Sequence, residues 1–217
     1  MTGSDGLTSG RFRGSQPVIG LMGAPGSGKS EVARALTGEG CAVIDADVLA
    51  REALEHPEVV AVLRSWLGEG VVDGEGRVDR GAVGAVVFGD EASRRRLEGL
   101  IHPRVHAERA RLRSGYVGDP GVVAIVEDCP LLLETGLDGE CDVLVFVDAP
   151  RSVREERVYR TRGWSAAELA LREGAQIGLD IKRERADYVI VNDADPEHCR
   201  VQSRRVLSQI LSSCSSE

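Results

Sequence analysis

The sequence predicts an α/β fold: a parallel sheet covered by helices on both faces. Two observations carry the prediction. Five short stretches are continuously apolar instead of alternating, as strands are when both faces are buried. Helical stretches lie between them, as parallel pairing through crossover connections requires. A third observation points to the ligand face. In such sheets ligands bind beyond the carboxyl ends of the strands, and here glycine, aspartate or asparagine residues follow those ends.

The first strand is Val18–Met22. Gly23, Ala24, Pro25, Gly26, Ser27, Gly28, Lys29 and Ser30 follow it and match the full phosphate-binding pattern G-x-x-x-x-G-K-[ST]. Each fixed position has its own task. The glycines let the backbone coil so that successive N–H groups face phosphate oxygens. Lys29 brings a point charge to the β- and γ-phosphates, and the Ser30 hydroxyl is a ligand for Mg²⁺. Residues 31–36 read as a helix whose N-terminus favours an anion. A chance match in this glycine-rich chain is about a few per thousand. The loop marks a nucleoside-triphosphate site.

Residues 41–45 form the second strand, after a turn at Gly38 to Gly40, and residues 47–54 look helical. From about residue 57 to 113 the pattern is almost entirely helical. It is broken by a turn over residues 68–76 and by His102-Pro103. Three further strands follow: residues 122–126 ending in Glu127 and Asp128, residues 143–147 ending in Asp148, and Tyr188–Val191 ending in Asn192. A closing helix spans about residues 195–211.

Composition narrows the function class. The chain has 217 residues, enough for a substantial core in one domain with insertions. Net charge is −8, so no global positive field draws nucleic acid. Five widely spaced cysteines without a C-x-x-C pair argue against a disulfide framework and against structural zinc. No apolar run approaches a membrane span. Residues 1–16 are rich in Gly, Ser and Thr and lack a hydrophobic segment, so they read as a disordered leader and not as a signal peptide. The expected compartment is the cytoplasm, and the expected state is a monomer or weak homo-oligomer without membrane or nucleic-acid partners.

Several constellations carry chemistry. Asp45-Ala46-Asp47 places two carboxylates at a strand end. One of them can serve as general base toward an acceptor hydroxyl, while the other caps the following helix or handles metal. Asp128 ends an apolar strand as an acid of the Mg²⁺ shell does, usually through water. The turn after it, Cys129-Pro130-Leu131-Leu132-Leu133-Glu134, is apolar where a polar loop is expected. It reads either as a wall against an organic ligand or as core. Arg151, Arg154, Arg157 and Arg160 recur at i, i+3, and Arg162 and Arg172 lie nearby. They form either a solvated face or a lid that stabilises charge on a transferring phosphoryl group.

Ordered sequence blocks extend this pattern: the phosphate loop, Val43-Ile-Asp-Ala-Asp47 with Arg51-Glu52, and Val78-Asp79-Arg80. They continue with Ile101-His102-Pro103-Arg104, Asp128-Cys-Pro-Leu-Leu-Leu-Glu134, Arg162-Gly-Trp-Ser165, Ala175-Gln176, Lys182, and Ala186-Asp187-Tyr-Val-Ile190 ending at Asn192. Together they resemble the dephospho-coenzyme A kinase family over residues 18–211. The resemblance implies a P-loop kinase fold with a five-stranded sheet in the order 2-3-1-4-5. It implies a core of about residues 17–47, 120–150 and 186–213, a helical substrate-binding insertion at about 48–115 and a lid at about 151–180. The implied reaction moves the ATP γ-phosphoryl group to the 3′-hydroxyl of dephospho-CoA, with Mg²⁺. By the same resemblance Asp47 is the base and Lys29 the phosphate clamp, with Arg157, Arg160 and Arg162 in the lid. Arg80, His102, Asp128, Pro130, Leu131 and Glu134 would hold substrate, and Asn192 would lie near adenine. Glu31 stands where the family usually has Thr, adding a negative charge beside the loop, and the usual second lid arginine falls on Thr161.

The competing readings are another small-molecule or nucleoside monophosphate kinase and a non-catalytic ATP-binding module. A guanine-specific switch would carry Asn-Lys-x-Asp after a late strand. Asn192-Asp193-Ala194-Asp195 lacks the lysine.

Overall fold

A computed structural model of the chain describes residues 16–87 and 89–214. The expected disordered leader lies outside the described residues except for Gln16. That side chain donates to the Asp119 carbonyl at 3.0 Å and accepts from the Gly118 N–H at 2.9 Å.

The strands are β1 (Val18–Met22), β2 (Ala42–Asp45), β3 (Ile125–Asp128), β4 (Val143–Asp148) and β5 (Tyr188–Val191). They form one parallel sheet in the order β2-β3-β1-β4-β5, the predicted order. Every residue of the central strand β1 and of its neighbour β3 is buried. The strand after the insertion differs from expectation. It begins at Ile125 and includes both acids, because Glu127 and Asp128 face Gly20 and Leu21 of β1 in the ladder. Val123 lies before it and donates its N–H to Gly40 in the turn before β2.

The chain divides into two compact units. The first holds the chain up to Ile44 together with Gly115–Glu217, and the second is Asp45–Ser114. In the first, α1 (Lys29–Gly38) and α9 (Pro196–Cys214) cover the sheet. Ile19, Leu21, Val32, Val126, Val145 and Ile210 form the centre of its apolar core. Helices α6 (Arg151–Arg162), α7 (Ala166–Gly174) and α8 (Leu179–Glu184) connect β4 to β5. A capping box at Ser165 and Glu168 starts α7.

The second unit contains α2 (Ala46–Leu54), α3 (Pro57–Leu67), α4 (Arg80–Val87) and α5 (Glu91–Tyr116). Val59, Leu63, Val71, Val78, Val83 and Val87 form its own core. The expected break at His102-Pro103 does not occur, since α5 runs through Pro103 over 26 residues. Proline removes one backbone donor and crowds the carbonyl four residues earlier. That carbonyl belongs to Gly99, and the remaining helical bonds on either side carry the helix across.

Candidate active site

The phosphate loop folds as its glycines require. Gly26 and Gly28 have φ of 79° and 90°, in the left-handed region where only glycine sits without strain. The Ser27 N–H donates to the Ala24 carbonyl at 3.1 Å. Gly28 caps α1 with no side-chain hydrogen bond, so the positive end of the helix faces the loop's concavity. Gly23 is equally constrained, since a Cβ there would lie 2.8 Å from the Val147 carbonyl oxygen.

Pairing of β1 with β3 brings Asp128 beside the loop. Lys29 Nζ stands 3.9 Å from Asp128 Oδ1, and both side chains are largely buried. Ser30, one position on, is exposed. A hydroxyl and a carboxylate are hard oxygen donors that suit Mg²⁺. No group of three or more His, Cys, Asp or Glu that could hold a metal occurs among the described residues. This donor set fits an ion held mainly by phosphate oxygens and water.

The other wall of the loop comes from β5 and α6. The Asn192 amide Nδ2 donates to the Ser27 carbonyl at 2.9 Å. Arg157 Nη1 donates to the Asn192 carbonyl at 2.9 Å and to the Ser27 carbonyl at 3.4 Å, while Nη2 donates to Asn192 Oδ1 at 3.3 Å. Asn192 is buried, and its side chain is committed to the loop's backbone. Of the three arginines assigned to the lid, Arg157 is the one at the phosphate loop. Arg160 is exposed and pairs with Glu156 at 3.5 Å. The guanidinium of Arg162 lies 4.6 Å from the Trp164 ring centroid, and that of Arg172 lies 3.8 Å from it. Thr161, standing where the family usually has arginine, donates to the Arg157 carbonyl at 2.7 Å.

Arg154 anchors the same helix. It is buried, donates to the Ala149 carbonyl at 3.0 Å and pairs with Glu173 of α7. Burial, with Arg151 nearby, lowers its pKa from the usual arginine value. Glu31 forms an ion pair with Arg34 one turn on.

The turn after Asp128 is mostly core: Leu132 and Leu133 are buried, and Leu131 is exposed. The Pro130 carbonyl and Glu134 both meet Lys182, so these two are turned toward α8. Sequence reasoning gave Lys182 no role, although a signal existed. It is one of two lysines in a chain with 27 basic residues of the Lys and Arg types. Arg183 was also missed. Its Nη1 meets Asp148 at 2.5 Å beyond the end of β4.

The remaining sequence candidates belong to the second unit. Asp45 is the N-cap of α2, its Oδ1 accepting from the Val48 N–H at 3.0 Å. Asp47 is exposed in the first turn of that helix. Arg80 is exposed at the start of α4, where Asp79 accepts from the Gly81 and Ala82 N–H groups. His102 is exposed on α5, edge-to-face with His106 at 6.5 Å between ring centroids.

A parallel sheet in this order, with a phosphate loop after its central strand and an arginine-bearing helix against that loop, defines a P-loop kinase. A family model described as dephospho-CoA kinase matches residues 17–197. The dephospho-CoA kinase of Anaeromyxobacter dehalogenans is 40% identical over 195 residues, covering 89% of this chain and 92% of the relative. That of Methylococcus capsulatus is 42% identical over 180 residues, covering 82% and 88%. A solved protein structure from Thermus thermophilus superposes with a TM-score of 0.75 at 34% identity, covering 90% of this chain and 98% of the other. The chain belongs to the dephospho-CoA kinase family.

Proposed function

We propose that this kinase transfers the γ-phosphoryl group of ATP to the ribose 3′-hydroxyl of dephospho-CoA, giving CoA and ADP, the last step of CoA synthesis. Family membership supports the reaction. The observation that carries the chemistry is the phosphate loop with Lys29 and Asp128 3.9 Å apart on neighbouring strands. A cation and an acid in a largely buried place suit a triphosphate accompanied by a divalent ion.

In this reading Gly23 to Ser30 cradle the β- and γ-phosphates with backbone N–H groups, and Lys29 offsets the charge that builds on them. Ser30 and Asp128 are the residues that would hold Mg²⁺, Asp128 through water, and the ion would supply positive charge to the phosphates. Arg157 is the lid cation. Asp47 is the general base for the acceptor hydroxyl: Asp45 takes the helix cap, so Asp47 is not needed for it. Arg80, His102 and the insertion at about residues 48–115 serve the acceptor. Catalysis is then largely positioning and charge stabilisation.

No helix among the described residues is long and apolar enough to cross a membrane. The proposed setting is the cytoplasm, with the enzyme acting as monomer or weak homo-oligomer. The test is ADP release coupled to dephospho-CoA, with the product's new phosphate located by phosphorus NMR. A product phosphorylated at the 3′ position is expected. ADP release with a different alcohol and none with dephospho-CoA would overturn the proposal.

A further inference from the structure

Lys182 is the most enclosed basic side chain among the described residues, 1% exposed although it sits on the short helix α8. Its ammonium has three oxygen partners: the Pro130 carbonyl at 3.2 Å, Gln176 Oε1 at 3.0 Å and Glu134 Oε1 at 3.1 Å. Three donors meet three acceptors, which is the full capacity of the group. This chemistry also explains why lysine stands here. The chain uses arginine for nearly all its basic residues, yet a planar five-donor fork cannot converge on three oxygens around one nitrogen. Glu134 Oε1 accepts in addition from the Ile177 N–H at 2.7 Å.

The network ties together two segments far apart in sequence. One is the turn that leaves β3, whose residues 130 and 134 are both held and which begins immediately after Asp128. The other is the passage from α7 through α8 that returns from the lid to β5. Burial of a charge is costly unless it is fully paired, so the arrangement has one low-energy geometry and resists sliding. Leu132, between the two held residues, packs directly over β1, where a Cβ on Gly20 would come within 2.6 Å of its Cδ2. The turn is thereby fixed from both sides.

We propose that Lys182 is a positioning residue for phosphoryl transfer: by clamping Pro130 and Glu134 it sets the place of Asp128 relative to Lys29, and by holding Gln176 it ties that setting to the return from the lid. This rests on the reading of Asp128 as part of the phosphate site. Displacement of a reacting or charge-bearing group by about an ångström costs on the order of a hundredfold in rate.

The experiment compares Lys182→Met, Glu134→Gln, Glu134→Ala, Gln176→Leu and Asp128→Asn in steady-state kinetics well below each variant's Tm. Amide hydrogen exchange at Ile177 and in the 128–134 turn is measured alongside. Lys182→Met should lower kcat by about tenfold or more while KM for dephospho-CoA stays within about twofold, with faster exchange in the turn. Glu134→Gln, which keeps an acceptor oxygen for Lys182 and Ile177, should retain most of the activity, and Glu134→Ala should follow Lys182→Met. If Lys182→Met does not fold, Gln176→Leu carries the test, with a smaller fall in kcat expected and an unchanged kcat overturning the proposal. A folded Lys182→Met with wild-type kcat beside an inactive Asp128→Asn overturns the positioning role alone. An Asp128→Asn enzyme with wild-type turnover removes the reading of Asp128 and the proposal with it.

Discussion

The Asn192 amide donates to the Ser27 carbonyl at 2.9 Å, joining the end of the last strand to the middle of the phosphate loop across 165 positions of sequence. The loop's shape is therefore not a property of its glycines alone. Glycine permits the left-handed turns at 26 and 28, but permission is not selection, because glycine also visits many other conformations. Asn192 and Arg157 select among them by holding the Ser27 carbonyl. Gly28 has no room for a side chain because the Asn192 amide occupies that space.

Asn192→Ala should therefore weaken ATP binding more than it weakens the fold. Loss of one buried hydrogen bond costs about 1–2 kcal/mol of stability. KM for ATP should rise by about tenfold, the loop no longer being pre-organised, with KM for dephospho-CoA nearly unchanged. Initial-rate kinetics in both substrates, beside a urea titration, separate the two effects. Equal rises in both KM values would refute the assignment.

The arginines of α6 should divide sharply. Arg157→Ala removes the one lid arginine held at the loop and should lower kcat by about a hundredfold. Arg160, exposed and paired only with Glu156 one turn back, should tolerate alanine within about twofold. The measurement is kcat at saturating substrates for each variant. A large loss at Arg160 with a small one at Arg157 would reverse the order.

Asp47→Asn should lower turnover by about a thousandfold while leaving ATP affinity unchanged, as the removal of a general base does. Equilibrium titration with a fluorescent ATP analogue reports the affinity, and substrate-dependent ADP release reports the turnover. Asp45→Asn keeps an N-cap for α2 and should retain most of the activity, since asparagine caps about as well as aspartate. Near-normal ADP release by Asp47→Asn would remove it from the base role.

These contrasts also mark how far the sequence could be read. Strand positions and the phosphate loop were legible because each is a local signal: continuous apolarity, and eight consecutive residues with separate tasks. The start of β3 was not, because Val122 and Val123 look like strand and only the pairing of Glu127 and Asp128 with β1 shows where the ladder runs. Pro103 misled in the other direction. A local rule against proline in helices is outweighed by a helix of 26 residues around it. The partners of Asn192, Arg157 and Lys182 could not be read at all. Apart from Gln176, six positions before Lys182, each partner lies tens of residues or more away, and such pairings leave no periodicity in the chain.

Burial should control the chemistry of the five cysteines. Burial, with Glu39 nearby, pushes the Cys41 thiol from the ordinary 9.0 to about 12, and burial also raises Cys199. At pH 8 the Cys41 thiolate fraction is then about 10⁻⁴, so a thiol reagent finds almost no nucleophile there. Cys141 and Cys214 are half-buried, whereas Cys41, Cys129 and Cys199 are buried. Titration with a disulfide reagent should show those two reacting first and the other three only as urea unfolds the protein. The same shift fixes the sign of the alkaline response. The folded state holds the Cys41 proton more tightly than the unfolded chain, so its contribution to stability is complete below pH 9 and is lost as pH rises toward 12. Urea midpoints falling across that range, with a shallower fall in Cys41→Ala, are the expected result; parallel curves for the two proteins would exclude Cys41 as the source.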